Sequence, residues 1–147
     1  VIEINKKEIK EKFDEQLVAL ITELGELAKN ARDKCRFIKS TTEVGCSILT
    51  NNNEMTWGCN FDYEWGIAHH AEDTAICNMI GTCAKDSKIR AVYLYIEGRK
   101  NFTSCGNCRD KIRLFAEDKK ACVIYLDNGE TLRVYSLSEL LPHYPER

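Results

Sequence analysis

A chain of 147 residues is long enough to bury a full core without staples, and its formal charge of −2, with lysines and carboxylates interspersed, offers no basic stripe for a phosphate backbone. That balance argues against tight binding to long nucleic acid and favours a small neutral partner. No apolar run is long enough to span a bilayer and no secretory leader stands out, so the eight cysteines are read as thiols of a reducing, cytoplasmic setting rather than as a disulfide framework.

The chain starts at Val1 rather than at methionine, which leaves open whether it was cut from a longer protein; residues 1–147 are taken as one domain. Ile9, Phe13, Leu17, Leu20, Ile21, Leu24, Leu27 and Ala31 recur at helical steps with Lys and Glu between them, which predicts one long amphipathic helix. After a polar connection from Arg32 to Thr41, small and β-branched residues from Thr42 to Thr50 read as a strand. Asn51-Asn52-Asn53 reads as a turn, and Glu54 to Asn60 as the returning strand of a hairpin. A loop from Phe61 to His69 delivers the chain to a short helix, His70 to about Gly81. Ile89 to Ile96 is a buried strand, Glu97 to Ser104 a polar loop, and Cys105 opens the third helix. Ala121 to Leu126 and Thr131 to Tyr135 are strands around the turn signal Asn128-Gly129, and Leu137 to Leu141 is a helical turn stopped by Pro142. This order predicts an α/β fold, a three-layer α/β/α arrangement with a five-stranded mixed sheet.

The chemistry concentrates at His70-Ala71-Glu72 and Cys105-Gly106-Asn107-Cys108. Cysteines three apart at a helix start can bite one metal, and a histidine opening a second helix supplies a third ligand. Three protein ligands leave tetrahedral Zn²⁺ one open position for a water that the metal acidifies. Glu72 is too near His70 in sequence to be a comfortable fourth ligand, yet it can reach that water, so it reads as the proton carrier. Two helix N-termini at the site favour thiolates at Cys105 and Cys108. His70 alone would read as a surface histidine; the cysteine pair and Glu72 turn it into a ligand. His69 has no glutamate two residues on and reads as pocket lining. Cys35, Cys46, Cys59, Cys77, Cys83 and Cys122 lie in or beside apolar segments and are assigned to the core. A four-cysteine structural zinc site has no second Cys-x-x-Cys to complete it.

These residues resemble the zinc-dependent nucleoside and nucleobase deaminases, whose signature is His/Cys-x-Glu followed by Pro-Cys-x-x-Cys. The resemblance is to the cytidine deaminase family and runs from about Val44 to Leu141. It rests on Val44-Gly45, Gly58-Cys59-Asn60-x-Asp62, His70-Ala71-Glu72-x-x-Ala75-Ile76, Cys105-Gly106-x-Cys108-Arg109 and Leu137-Ser138-Glu139-Leu140-Leu141-Pro142, in that order. It implies hydrolytic deamination of cytidine or deoxycytidine to uridine or deoxyuridine, with Zn²⁺ as cofactor. By the same resemblance Asn60 and Asp62 orient the sugar. Backbone near Cys46 holds the pyrimidine edge, Thr103, Ser104 and Cys105 hold the amino group, and Trp65 stands where the family has a tyrosine.

Several positions depart from the family. Ser104 replaces a proline, Thr42 replaces a phenylalanine that lines the base pocket, Asp62 replaces a glutamate, and Asp73 stands where three-cysteine enzymes carry an arginine. These departures keep open a related substrate, such as an antibiotic or modified nucleoside. A cytosine deaminase acting on single-stranded nucleic acid is a further alternative, opposed by the acidic balance. The family resemblance also implies a homo-oligomer, tetramer before dimer, in which Tyr144 or its neighbours reach an adjacent subunit's pocket.

Overall fold

A computed structural model describes residues 15–37, 42–62, 68–129 and 131–144. Its elements in chain order are α1 (Glu15–Arg32), β1 (Val44–Thr50), β2 (Met55–Cys59), β3 (Phe61–Asp62), β4 (Ala68–His69), α2 (Ala71–Thr82), β5 (Ile89–Ile96), α3 (Gly106–Phe115), β6 (Cys122–Asp127), β7 (Thr131–Ser136) and α4 (Leu137–Leu140). Of the predicted stripe, Leu17, Ile21, Leu24 and Ala31 are buried along α1 and Leu20 and Leu27 are half-buried, while Ala28, outside the stripe, is buried as well. Ile9 and Phe13 lie outside the described residues, as do Trp65 and Pro145.

The main sheet is five-stranded in the order β2-β1-β5-β6-β7. All its pairs are antiparallel except β5 with β6. That parallel pair requires a crossover, and the crossover carries α3 and its cysteines. Apart from Arg90, β5 carries only aliphatic and tyrosine side chains because it is covered on both faces. Ala91, Tyr93 and Tyr95 join Leu17, Ile21, Leu24 and Ala28 of α1 in one core cluster. Val92, Leu94 and Ile96 join Ala75, Ile76 and Met79 of α2 and Ile112 of α3 in the other. The predicted three-layer α/β/α arrangement with a five-stranded mixed sheet is the observed one.

Two glycines set how closely the helices approach the sheet. A Cβ on Gly45 would sit 1.8 Å from the Ala28 carbonyl oxygen of α1, and one on Gly58 would sit 2.2 Å from the Ala75 nitrogen of α2. Gly58 therefore fixes the height of α2, and with it His70, over the sheet.

The segment read as a loop before His70 contains a small antiparallel pair, with Phe61 opposite His69 and Asp62 opposite Ala68. The rings of Phe61 and His69 stack at 4.8 Å. Burial sorts the six non-ligand cysteines more finely than their apolar neighbours suggested. Cys46 and Cys122 are buried, Cys35, Cys59 and Cys83 are half-buried, and Cys77 is exposed. Cys77 falls on the outer face of α2, whose inward positions are Ala71, Glu72, Ala75, Ile76 and Met79.

Candidate active site

His70 and Cys105 occupy equivalent places, each the residue that caps a helix N-terminus in extended backbone, with φ −79° and −66°. Neither side chain turns back to bond its own helix, so both stay available to a ligand. Cys108 is the third residue of α3, and a side chain there lies on the same side as the capping residue. A Cβ built on Gly106, between the two cysteines in sequence, would meet nothing within 4 Å.

The three donors converge. His70 Nδ1 lies 3.3 Å from Cys108 Sγ and 3.5 Å from Cys105 Sγ, and all three donor atoms lie within 4.8 Å of one another. With Zn–N near 2.0 Å and Zn–S near 2.3 Å, a tetrahedral ion spans about 3.6 Å between its nitrogen and sulfur ligands. The cluster therefore fits Zn²⁺ on ligand type and spacing. Burial, then the Glu72 carboxylate and Cys105, pushes the Cys108 thiol well above its usual range, so burial outweighs the helix terminus and a thiolate there calls for a cation beside it.

Glu72 is buried at 3% exposure yet lines the cavity beside the cluster. Among the described residues no side chain or backbone group hydrogen-bonds its carboxylate, and no buried side-chain oxygen is left without a partner, so the carboxylate oxygens open onto the cavity. The cavity holds about 250 Å³, enough for a pyrimidine ring with part of a sugar, and its walls include Val44, Asn60, Asp62, His69, Phe102 and Thr103.

The remaining predicted site residues fall at different depths. Asn60 and Asp62 line the cavity, but the Asn60 carboxamide is also a structural clamp. Its oxygen accepts from Val44 N at 2.8 Å and from Cys35 Sγ at 3.0 Å, and its nitrogen donates to Thr42 O at 2.6 Å. One amide N–H remains for a ligand. Thr103 also lines the cavity. Ser104 sits behind it at 2% exposure, and Cys46 is wholly buried in the core, so Val44 of the same strand forms the wall. His69 takes its place in the lining, with Nδ1 3.7 Å from the Asp73 carboxylate.

The segment before Cys105 is held from three sides. Arg109 donates Nε to Ser104 O at 2.8 Å, one terminal nitrogen to Thr103 Oγ1 at 2.9 Å and the other to Leu140 O at 2.8 Å. The Tyr125 hydroxyl accepts from Ser104 N at 3.0 Å and donates to Ser104 Oγ at 3.1 Å. Arg133 donates to Phe102 O and, through Nε, to Asp127 at 2.5 Å. Sequence reading singled out neither Tyr125 nor Arg133, because a strand tyrosine or arginine gives no local signal of what it reaches. Lys111 supplies a cation at the site, bonding Asp73 at 2.6 Å and so joining α3 to α2.

The family described as the cytidine and deoxycytidylate deaminase zinc-binding region matches residues 19–125, a stretch containing His70, Glu72, Cys105 and Cys108. The cytidine deaminase of Mycoplasma pneumoniae is 29% identical over 104 residues, covering 69% of this chain and 76% of that protein. The crystal structure of the cytidine deaminase from Burkholderia pseudomallei superposes with a TM-score of 0.72 at 27% identity, covering 82% of this chain and 95% of that one. That from Mycobacterium leprae, at 22% identity and a TM-score of 0.68 over 83% of this chain and 97% of that one, shares the fold. With a match across most of its length, the chain belongs to the cytidine and deoxycytidylate deaminase zinc-binding family.

Proposed function

We infer that the protein is a zinc-dependent hydrolase that converts cytidine or deoxycytidine to uridine or deoxyuridine with release of ammonia. The observation that supports this reading is the placement of Glu72, whose carboxylate opens onto the same cavity as His70 and Cys105 of the His70/Cys105/Cys108 cluster.

His70 and the thiolates of Cys105 and Cys108 would hold Zn²⁺, and the two thiolates would balance its charge. When bound there, the ion supplies a Lewis acid that acidifies water near neutral pH. Glu72, which lines the cavity beside the cluster, would take one proton from a water in the cavity and deliver it to ring N3, breaking the ring's aromaticity as the water oxygen joins C4. The same carboxylate passes the second proton to the departing amino group, which leaves as ammonia. Water and cytidine thus balance uridine and ammonia. The backbone of Thr103 and Ser104, with Cys105, faces the leaving amino group, and Val44 on the strand of Cys46 faces the ring. Asn60 and Asp62 orient the sugar.

The protein acts as one unit across residues 1–147, in the cytoplasm, on a small nucleoside. Among the described residues no helix is long and apolar enough to cross a membrane. It works as a homo-oligomer, tetramer before dimer. Exposed Ile80 and Leu114, at 61% and 41%, and Phe61 at 37%, support this assembly. Tyr144 lies against its own chain's Arg113 and Lys119, 4.7 Å and 5.6 Å from the ring, so among the described aromatic residues Phe61 is the more open to a neighbour.

Incubating the zinc-loaded protein with cytidine, deoxycytidine, other aminated nucleosides and a cytosine-bearing oligonucleotide, and measuring ammonia, tests the reading. Release from cytidine or deoxycytidine is expected. Release only from the oligonucleotide, or from none of them, contradicts it. Light scattering at micromolar concentration tests the assembly, and a fully active monomer overturns it.

A further inference from the structure

The β6–β7 hairpin lies behind the pocket, yet one of its faces carries a polar cluster. Arg133 stands opposite Tyr125 in the sheet register and Asp127 is two residues further along β6, so the three side chains share the face on which Tyr125 joins the core of α2 and α3. Arg133 is the hub of the cluster. Its Nε and one terminal nitrogen hold the two Asp127 oxygens at 2.5 Å and 2.7 Å, the same terminal nitrogen donates to Phe102 O, and the other donates to the Tyr135 hydroxyl at 3.2 Å. Both members of the pair are shielded, at 19% and 9% side-chain exposure, where a forked guanidinium–carboxylate pair is held more firmly than on open surface. Asp127 also accepts from Asn101 N at 3.3 Å, so the pair grips the loop at two successive residues.

That grip decides which carbonyl the loop presents to the cavity. Phe102 O goes to Arg133, and Ser104 O goes to Arg109 at 2.8 Å. Thr103, between them, lines the cavity, and among the described residues no protein group donates to its carbonyl. The chain runs from Phe102 to Cys105 without helix or turn, and in such backbone successive carbonyls point to alternate sides. The two guanidinium bonds therefore turn the Thr103 carbonyl the opposite way, toward the pocket. Ser104 lacks the ring that would stiffen this segment, and the bonds from β6 and β7 hold it instead. An acceptor fixed there distinguishes the two ends of the reaction. It takes an N–H from an exocyclic amino group, whereas an oxo group in the same place sets one acceptor against another.

We propose that Arg133, paired with Asp127, is a positioning residue that holds the Thr103 carbonyl toward the exocyclic group at C4, so that the pocket prefers the aminated ring to its oxo product. Arg133 does not line the cavity and acts through the loop. The placement of C4 rests on the deaminase reading.

Binding is read without turnover in zinc-loaded Glu72→Gln protein. Calorimetry with cytidine and with uridine is run on that protein alone and combined with Arg133→Met, Arg133→Lys or Asp127→Asn, with thermal unfolding and zinc content measured on each. Before Arg133 is changed, cytidine is expected to bind about fivefold or more tighter than uridine. Arg133→Met brings that ratio close to one at unchanged zinc content, chiefly by weakening cytidine. Arg133→Lys, which has no planar fork to serve Asp127 and Phe102 O together, keeps part of the preference. Should Arg133→Met not fold, Arg133→Lys and Asp127→Asn carry the test, each lowering the ratio by about twofold or more. Lost stability with the ratio intact in every folded variant makes Arg133 merely structural and overturns the proposal, as does equal binding of the two ligands before Arg133 is changed. If the ratio falls as expected while protein with Glu72 intact releases no ammonia from cytidine, the deaminase reading fails and the positioning by Arg133 stands.

Discussion

The hydroxyl of Tyr125 grips Ser104 twice, accepting its backbone N–H at 3.0 Å and donating to its side-chain oxygen at 3.1 Å. The family proline at position 104 has no N–H to satisfy, whereas serine brings a buried donor to the residue before the first cysteine ligand. Tyr125, itself fully buried in the sheet, takes up that donor. Burial, opposed by its bonds to Ser104, raises the phenol's pKa, so the hydroxyl stays protonated and able to donate. Tyr125→Phe removes one oxygen and strands a buried N–H, which should destabilise the fold by about 1–3 kcal/mol. Ser104→Ala leaves the N–H bond intact and should cost less. Denaturant unfolding of both variants checks the order; Ser104→Ala costing as much as Tyr125→Phe contradicts it.

A second relationship spans the two metal-bearing helices. Lys111 of α3 bonds Asp73 of α2 at 2.6 Å, with both side chains partly exposed. Acting as a geometric tie, this pair sets the distance between His70 and the cysteines, and breaking it from either side should weaken zinc binding by about three- to tenfold. Acting only through charge, it would give opposite signs: Lys111→Met would tighten zinc and Asp73→Asn would loosen it. Competitive zinc titration of both variants distinguishes these, and we expect both to weaken.

The two close-approach glycines separate stability from function. Gly45→Ala drives a methyl into the backbone of α1, and Gly58→Ala drives one into the backbone of α2. Each should cost about 1–3 kcal/mol or more. Only Gly58→Ala displaces the helix that carries Glu72 and follows His70, so among the molecules still folded it should lose zinc affinity and turnover out of proportion to its stability. Equal zinc affinity in the two folded variants contradicts this.

Much of this architecture was legible because its signals are local. The α1 stripe, the hairpin, the doubly covered β5 and the spacing of His70, Glu72, Cys105 and Cys108 each occupy one stretch of chain. What stayed hidden depends on contacts between distant segments. The β3–β4 pair is two residues on each side and is stabilised in part by the Phe61–His69 stack, which no periodicity reveals. Thr42 and Ser104 were visible as departures, but Arg99, which donates to Thr42, lies 57 residues from it and Tyr125 lies 21 from Ser104. Asn60 lines the cavity as expected of a ligand-facing residue, but its clamping of Val44 and Thr42 joins distant segments and gives no local signal. Cys77 read as core because an apolar neighbourhood in sequence does not say which face of the helix it occupies.

Acid should loosen the turn far from the site. The Glu54 carboxylate accepts from Ser87 Oγ at 2.5 Å, Ala84 N at 2.9 Å and Thr50 Oγ1 at 3.1 Å, joining the β1–β2 turn to the segment before β5. The Ser87 bond first and the Ala84 bond next hold its pKa below the usual 4.5. A depressed carboxylate stabilises the fold fully above its unfolded pKa and loses that contribution as pH falls through the folded value. The stability gap between wild type and Glu54→Gln should therefore be constant from neutral pH down to about pH 5 and shrink below it. Urea unfolding across that range checks it, and a gap that widens in acid has the wrong sign.

The central claim is that one buried carboxylate moves the protons while His70, Cys105 and Cys108 hold the metal, and Glu72→Gln isolates it. Metal content and ammonia release from cytidine and deoxycytidine are to be measured on the same samples of wild type and variant. The account expects about one zinc per chain in both, with turnover in Glu72→Gln reduced by about 10²-fold or more. A Glu72→Gln protein that keeps its zinc and deaminates at close to the wild-type rate contradicts it.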